Sequence, residues 1–312
     1  MSADLELVVA AARMLCADVR ELELRDPAGA PLPAFPPGGH IAVAWGRGLR
    51  NSYSLTGPGE APSRYTISVR LDPAGRGGSR WLHRLPVGAR LRVSPPRGDF
   101  APVARAHHHL LLAGGIGVTP ILSHVRAALR WDRSFRVVYV HRPESAPHAA
   151  ELAGMCGDRL TRVTSRERFW DTVGPLLRDS PLGTHLYVCG PEPMIEAVRR
   201  AADAAGWPGE RVHTEAFLPV TAGGAPFTAH LRRRGTTVRV PADAGLLDVL
   251  DAHGAGVPSL CRRGVCGECR LPVRAGAIDH RDSYLTDDER AAGDSMMACV
   301  SRAAAGHLEL DL

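Results

Sequence analysis

Lysine is missing from this chain: all 38 of its basic residues are arginine. Any site that holds a phosphate must therefore use arginine or backbone N–H groups. Ala, Gly and Pro are abundant beside arginine, so the bias reads as GC-rich codon usage before it reads as function. Long apolar runs are also missing, which leaves no candidate membrane span. The N-terminus, Met1-Ser-Ala-Asp-Leu-Glu6, has neither a positive n-region nor an apolar core. No secretory signal is expected from it, and a reducing cytoplasm is the expected compartment. No basic run suits a nucleic-acid arm. Internal repeats and low-complexity tracts are absent from the sequence.

What is present is ordinary bulk with uneven charge. A chain of 312 residues, 45% of them hydrophobic, suggests two or three domains. The net charge is +5, but residues 223–312 carry 11 arginines against 12 acids and the remainder is net +6.

Residues 1–103 read as short strands: Leu5-Glu-Leu-Val-Val9, Val19–Leu24, His40–Ala44, Tyr65–Val69 and Arg90–Val93. Pro and Gly punctuate them, which predicts a β-barrel. From residue 104 strands and helices alternate. His109–Ala113, Phe135–Val140 and His185–Val188 read as strands, and Ile121–Trp131, His148–Met155 and Pro193–Ala205 as helices. That alternation predicts an α/β domain on a parallel sheet through residue 222. Residues 218–226 read as a linker. In 223–312, Phe227–Leu231 and Thr236–Val240 predict a hairpin around Arg234-Gly235, and Leu246–His253 a helix.

Four of the seven cysteines carry the sharpest signal. Cys261, Cys266 and Cys269 are separated by four and then two residues, and Cys299 follows after a long gap. That is the plant-type [2Fe–2S] spacing, in which four thiolates converge on two irons. Gly264 and Gly267 suit a loop that curls its backbone around the sulfurs. A zinc site would want a second two-residue knuckle, which Cys299 lacks. A disulfide framework suits small secreted chains, not this one.

Three further motifs are weaker singly. Gly114-Gly-Ile-Gly-Val-Thr-Pro120 follows a strand and opens a helix, so its N–H groups can approach a pyrophosphate. It is not the G-x-G-x-x-G fingerprint. Tyr187-Val-Cys-Gly-Pro191 ends a strand at a corner where a flat ring could sit. Arg50-Asn-Ser-Tyr53-Ser54 offers an aromatic, a hydroxyl and a guanidinium, and Arg76-Gly77-Gly78-Ser79 a phosphate-sized turn. Each alone reads more readily as a plain turn, and Cys189 as a small buried hydrophobe. His107-His-His109 looks metal-like but reads better as a solvent-exposed boundary.

Taken together, these residues resemble the phthalate dioxygenase reductase family over nearly the whole chain. The resemblance implies an antiparallel β-barrel FMN domain (1–103), an α/β NAD(P)H domain (104–222) and a β-grasp ferredoxin domain (223–312). It implies that Tyr53 and Ser54 contact the isoalloxazine and Arg50 the FMN phosphate, with Gly77, Gly78 and Ser79 as the phosphate turn. Thr119 would lie near the flavin, Gly115 and Gly117 on the nucleotide, and Cys189 and Gly190 beside the nicotinamide. Phe217, ending His213-Thr-Glu-Ala-Phe217, would cover the flavin face. Thr119, Cys189 and Phe217 are thus the catalytic candidates, and Cys261, Cys266, Cys269 and Cys299 the cluster ligands. The family pattern has one residue between arginine and tyrosine, whereas two stand here, Asn51 and Ser52. Arg50 would need a bulge, or another arginine would replace it.

The implied activity is electron transfer from NADH through FMN and the cluster to a separate Rieske-type ring hydroxylase or demethylase. A cytochrome P450 is the alternative acceptor. NADPH stays open because Arg142 and Ser145 could hold a 2′-phosphate. A monomer that docks transiently is expected; a less positive ferredoxin part could orient its partner, and reads equally as scattered solvated charge. The rivals from other classes are a redox sensor and a zinc-stabilised binding module. A nicotinamide site argues against the sensor.

Overall fold

The computed structural model describes all residues except 1–3, 46–48, 76, 99, 218–223, 243, 260–263, 265, 266 and 283, and of Leu49 only the backbone. The chain divides into two compact units, 1–217 and 218–312.

The first unit opens with a six-stranded antiparallel sheet. Its strands are β1 (Leu5–Cys16), β2 (Val19–Arg25), β3 (His40–Trp45), β4 (Leu49–Ser54), β5 (Tyr65–Arg70) and β6 (Arg90–Val93), with helix α1 (Gly78–Arg84) between the last two. The order is β4-β3-β6-β1-β2-β5. The edge strands β4 and β5 then meet through a Leu55↔Ile67 bridge and the Thr56 N–H to Thr66 carbonyl bond at 2.9 Å, which closes the sheet into a barrel. Irregular register at Val9/Ala11 and Met14/Cys16 lets the long β1 bend around that barrel. Alternation places Leu22 and Leu24 of β2 with Ile41, Val43, Ile67 and Val93 in one core.

The same unit continues as a five-stranded parallel sheet, order β11-β10-β7-β8-β9. Its elements are β7 (His108–Gly114), α2 (Val118–Arg130), β8 (Phe135–Val140), α3 (Ala149–Cys156), β9 (Leu160–Val163), α4 (Arg166–Asp179), β10 (Thr184–Gly190), α5 (Glu192–Ala204) and β11 (Val212–Ala216). Helices cover both faces, so β7 reads as a near-continuous apolar run. α2 and α3 seal one core with Leu111, Val137 and Tyr187, and α4 and α5 the other with Leu112, Val138 and Val188. Polar ties hold barrel to sheet: Ser68 Oγ lies 2.8 Å from His148 Nε2, and Arg126 Nε donates to the Thr56 carbonyl at 2.9 Å.

The second unit holds a mixed sheet, order β13-β12-β18-β14-β16. Its elements are β12 (Phe227–Leu231), β13 (Thr236–Val240), α6 (Leu246–Ala252), β14 (Arg270–Ala275), β15 (Ile278–Asp279), α7 (Asp287–Ala292), β16 (Ser295–Met297), β17 (Arg302–Ala303) and β18 (His307–Leu310). β15 pairs with β17 apart from the main sheet. The hairpin pairs Leu231 with Thr236, and α6 packs Leu246, Leu247 and Leu250 against the sheet's core. This is the grasp arrangement of one helix on a mixed sheet. Among the described residues no helix is long and apolar enough to cross a membrane.

Candidate functional site

The parallel sheet reverses its order between β7 and β10, and ligands of such sheets bind at the carboxyl ends of those strands. The two glycine motifs meet there. Gly115 adopts φ +54, open to no L side chain without strain. A Cβ on Gly117 would strike the Cys189 carbonyl and stand 2.7 Å from Gly190 N. A Cβ on Gly190 would stand 3.1 Å from Gly114 Cα. The turn and the strand end are thus packed backbone to backbone. Thr119 is buried, and its hydroxyl donates to the Ile116 carbonyl at 3.0 Å, which fixes the turn at the start of α2. Cys189 is fully buried in the core under α2 and α3, and Phe217 is half-buried against the same core.

In the barrel, β3 and β4 pair one to one from His40↔Ser54 to Trp45↔Leu49. No bulge absorbs the extra residue among these pairs. Asn51 and Tyr53 therefore share the face of Ile41 and Val43, while Arg50, Ser52 and Ser54 share the other. Arg50 Nη1 donates to Asp4 Oδ1 at 3.0 Å, and Nη2 to Oδ2, so its guanidinium grips a carboxylate. The expected bulge at Arg50 is thereby corrected. The residue two before Tyr53 on its own face is Asn51. Asn51 Oδ1 accepts from Trp45 Nε1 at 2.6 Å. That pair lies against the glycine turn: a Cβ on Gly78 would stand 2.7 Å from Trp45 Nε1 and 3.0 Å from Asn51 Oδ1. Gly77 has φ +110 and stands at the N-cap of α1, a helix the strand pattern did not predict. Ser79 Oγ accepts from Asp72 N at 3.0 Å. At the other end of α1, Arg20 donates to the carbonyls of Leu82, His83 and Leu85, at 3.0 Å and 2.8 Å for the first and last.

Three buried oxygens in this strand, Ser52 Oγ, Tyr53 OH and Ser54 Oγ, have no hydrogen-bond partner among the described residues. Burial pushes the Tyr53 phenol up, so it remains a neutral donor. Buried polar groups are nearly always satisfied. A flavin, with its polar ring edge and ribityl hydroxyls, fits the orphaned Tyr53 hydroxyl, which shares its face with Asn51 and the glycine cradle.

In the second unit Cys269 and Cys299 are both buried in one core cluster. The β14–β16 ladder pairs Arg270 with Met297, and the Ala298 N–H donates to the Cys269 carbonyl at 3.1 Å. Cys261 and Cys266 lie outside the described residues. The two glycines of the loop behave as expected: Gly264 has φ +73 and Gly267 φ +76. Gly264 packs against Asp282 and Val300, and Gly267 lies under the ring of Tyr284. The sequence reading missed Asp282. Its buried carboxylate accepts from Leu285 N at 2.9 Å, Tyr284 N at 3.2 Å and Ser301 Oγ at 3.2 Å, and so shapes the segment over the loop. An Asp two and three residues before the N–H groups it receives is an Asx-turn signal, readable in advance.

The histidine run is also corrected. His107 is exposed, but His109 is only 4% exposed, and its ring lies tilted with its centroid 5.7 Å from that of Tyr187. Strand alternation buries it on the α2 face.

Comparisons with known proteins agree with this geometry. Residues 89–212 match the family model of the dimethylamine monooxygenase subunit DmmA-like N-terminal domain, and residues 229–304 that of the 2Fe-2S iron-sulfur cluster binding domain. The chain is 41% identical to the heme-dependent oxidative N-demethylase beta subunit of Ectopseudomonas mendocina, covering 100% of both. It superposes on phthalate dioxygenase reductase, described as a modular structure for electron transfer from pyridine nucleotides to [2Fe–2S], with TM-score 0.83 and 36% identity over 99% of this chain and 98% of that one. It also resembles full-length CYP116B46 from Tepidiphilus thermophilus, with TM-score 0.70 and 36% identity over 99% of this chain and 42% of that one. Fold and site define a flavin- and iron–sulfur-dependent oxidoreductase. The chain belongs to the phthalate dioxygenase reductase family, the reductase components of oxygenase systems. FMN, NADH and a [2Fe–2S] cluster are the cofactors that go with that membership.

Proposed function

We propose that the chain carries electrons from NADH to a separate Rieske-type oxygenase, a ring hydroxylase or demethylase. One observation carries the reading: the whole chain follows phthalate dioxygenase reductase from barrel to ferredoxin module, over 99% of one chain and 98% of the other. The proposed domain limits are 1–103, 104–222 and 223–312. They fit the gap between Val93 and His108 that separates the two sheets of the first unit.

A bound flavin supplies the ability to take two electrons together and release them singly. The chain's residues bind and orient. Gly115 and Gly117 let backbone N–H groups reach the nucleotide's phosphates, and Cys189 and Gly190 leave a flat floor for its ring. Tyr53 presents its orphaned hydroxyl to the flavin, with Ser54 at the end of the strand and Gly77, Gly78 and Ser79 beside its phosphate. Thr119 holds the turn between the two ligands, and Phe217 shields the site from water. Cys261, Cys266, Cys269 and Cys299 hold the cluster. No side chain needs to act as general acid or base.

A second reading, a haem-dependent acceptor such as a cytochrome P450, is favoured by one observation. Much of the matched structure's remaining length belongs to a protein named for that class. The acceptor is separable by experiment: purified reductase with NADH should reduce a Rieske oxygenase faster than a cytochrome P450. Equal or reversed rates overturn the choice. A cytoplasmic monomer with transient docking completes the proposal.

A further inference from the structure

We propose that Asp18 sets the preference for NADH over NADPH, by holding a carboxylate where a 2′-phosphate would have to bind; this rests on the nucleotide reading above. The loop after β8 lies at the carboxyl edge of the second strand of the β7–α2–β8 unit. In doubly wound sheets that edge meets the adenosine ribose. Here the loop reads His141-Arg-Pro-Glu-Ser145, with a guanidinium and a hydroxyl suited to a phosphate.

The hydroxyl is already engaged. Ser145 Oγ donates to Asp18 Oδ1 at 2.7 Å. The Cys16 thiol donates to the same oxygen at 3.3 Å. Asp18 comes from the barrel, on the turn between β1 and β2, and its carbonyl accepts from Leu71 N at 2.7 Å. The backbone that carries the carboxylate is therefore anchored in the barrel, and Ser145 of the loop reaches across to it. Burial works to raise its pKa, but the hydrogen bonds from Ser145 and Cys16 and the charge of Arg70 outweigh burial and hold it below the usual range. It is ionised at neutral pH. A phosphate that sought Ser145 would meet a fixed negative charge, with exposed Glu144 adding a second. A free 2′-hydroxyl meets no such penalty, and can donate to a carboxylate oxygen. Specificity of this kind comes from repulsion of the wrong ligand.

The test uses the holoprotein and two probes, ADP-ribose and its 2′-phosphate, titrated by calorimetry. The wild type should bind ADP-ribose about ten-fold more tightly or better. Asp18→Asn keeps an acceptor for Ser145 and removes the charge, so it should cut that ratio about five-fold or more, through a gain for the phosphorylated probe. Asp18→Ser serves as the second variant if Asp18→Asn does not fold. A wild-type ratio that survives both substitutions overturns the role of Asp18 and leaves the NADH reading standing. A wild type that does not discriminate, or binds neither probe, removes the NADH reading itself.

Discussion

Gly117 packs directly on the Cys189 carbonyl, with no room for a Cβ between them. This contact joins the glycine turn after β7 to the end of β10, and it creates the shallow floor on which the nucleotide reading depends. Gly117→Ala should force the two strand ends apart. We expect kcat/KM for NADH to fall about 100-fold, and stability by about 1–3 kcal/mol. Stopped-flow flavin reduction and thermal melts check both.

Arg50 and Asn51 make opposite predictions. Arg50 is gripped by Asp4 on the face away from Tyr53. Arg50→Ala should therefore change FMN affinity less than about three-fold. Asn51→Asp places a charge against the Gly78 turn and should weaken FMN about ten-fold or more. Fluorescence titration of the apoprotein with FMN decides. A larger loss at Arg50 would show that the guanidinium leaves Asp4 for the phosphate.

Gly267 and Gly254 both have positive φ, +76 and +66, but only Gly267 lies under an aromatic ring. Gly267→Ala combines backbone strain with a clash on Tyr284, and Gly254→Ala carries the strain alone, about 1–2 kcal/mol. Iron and sulfide content per chain should drop in the first variant and hold in the second. Equal losses would mean that strain, not packing, limits the loop.

Arg302 is 2% exposed and satisfies the carbonyls of Ala244 (2.6 Å), Pro241 (2.9 Å) and Ala225 (3.0 Å). Burial lowers its pKa, yet it stays charged at any ordinary pH. Arg302→Met takes the donor away from three carbonyls and should destabilise the second unit by about 1–3 kcal/mol. A melt monitored at cluster absorbance reads this. A shift of the flavin signal instead would place the effect in the first unit.

Acid should weaken the first unit through two histidines. Burial lowers His124 to about 3 and His109 to about 4, from an ordinary 6.5. His124 Nε2 donates to the Phe100 carbonyl at 2.6 Å, which fixes the neutral ring. Both rings stay neutral in the fold while the unfolded chain takes up protons below 6.5. Their contribution is complete above pH 6.5 and is lost as pH falls toward 4, at about 1.4 kcal/mol per pH unit for each ring. Melting temperature against pH should show this slope, and His124→Gln should flatten part of it.

Much of the fold was legible in the sequence because periodicity follows burial. The apolar run His109–Ala113 and the alternation Val19–Leu24 each lie where the pattern placed them. β9 and α4 escaped, since Leu160–Val163 is short and Pro175 sits inside the helix and masks its period. α1 escaped because its start is a glycine turn that also reads as a loop. For the site, motifs marked the glycines and cysteines, which act through local backbone geometry. Long-range partners such as Asp4 for Arg50 and Asp18 for Ser145 depend on tertiary approach, and carry no local signature of it. Strand register, not spacing, decides that Asn51 and not Arg50 shares the face of Tyr53.

The proposed transfer runs from NADH through the flavin to the cluster. The most direct measurement is an anaerobic titration of the holoprotein with NADH, followed by visible absorbance and EPR. Flavin bleaching together with the signal of a reduced [2Fe–2S] cluster is expected, with loss of that signal alone in Cys299→Ser. Flavin bleaching in the wild type without the cluster signal, or no reduction at all, would contradict it.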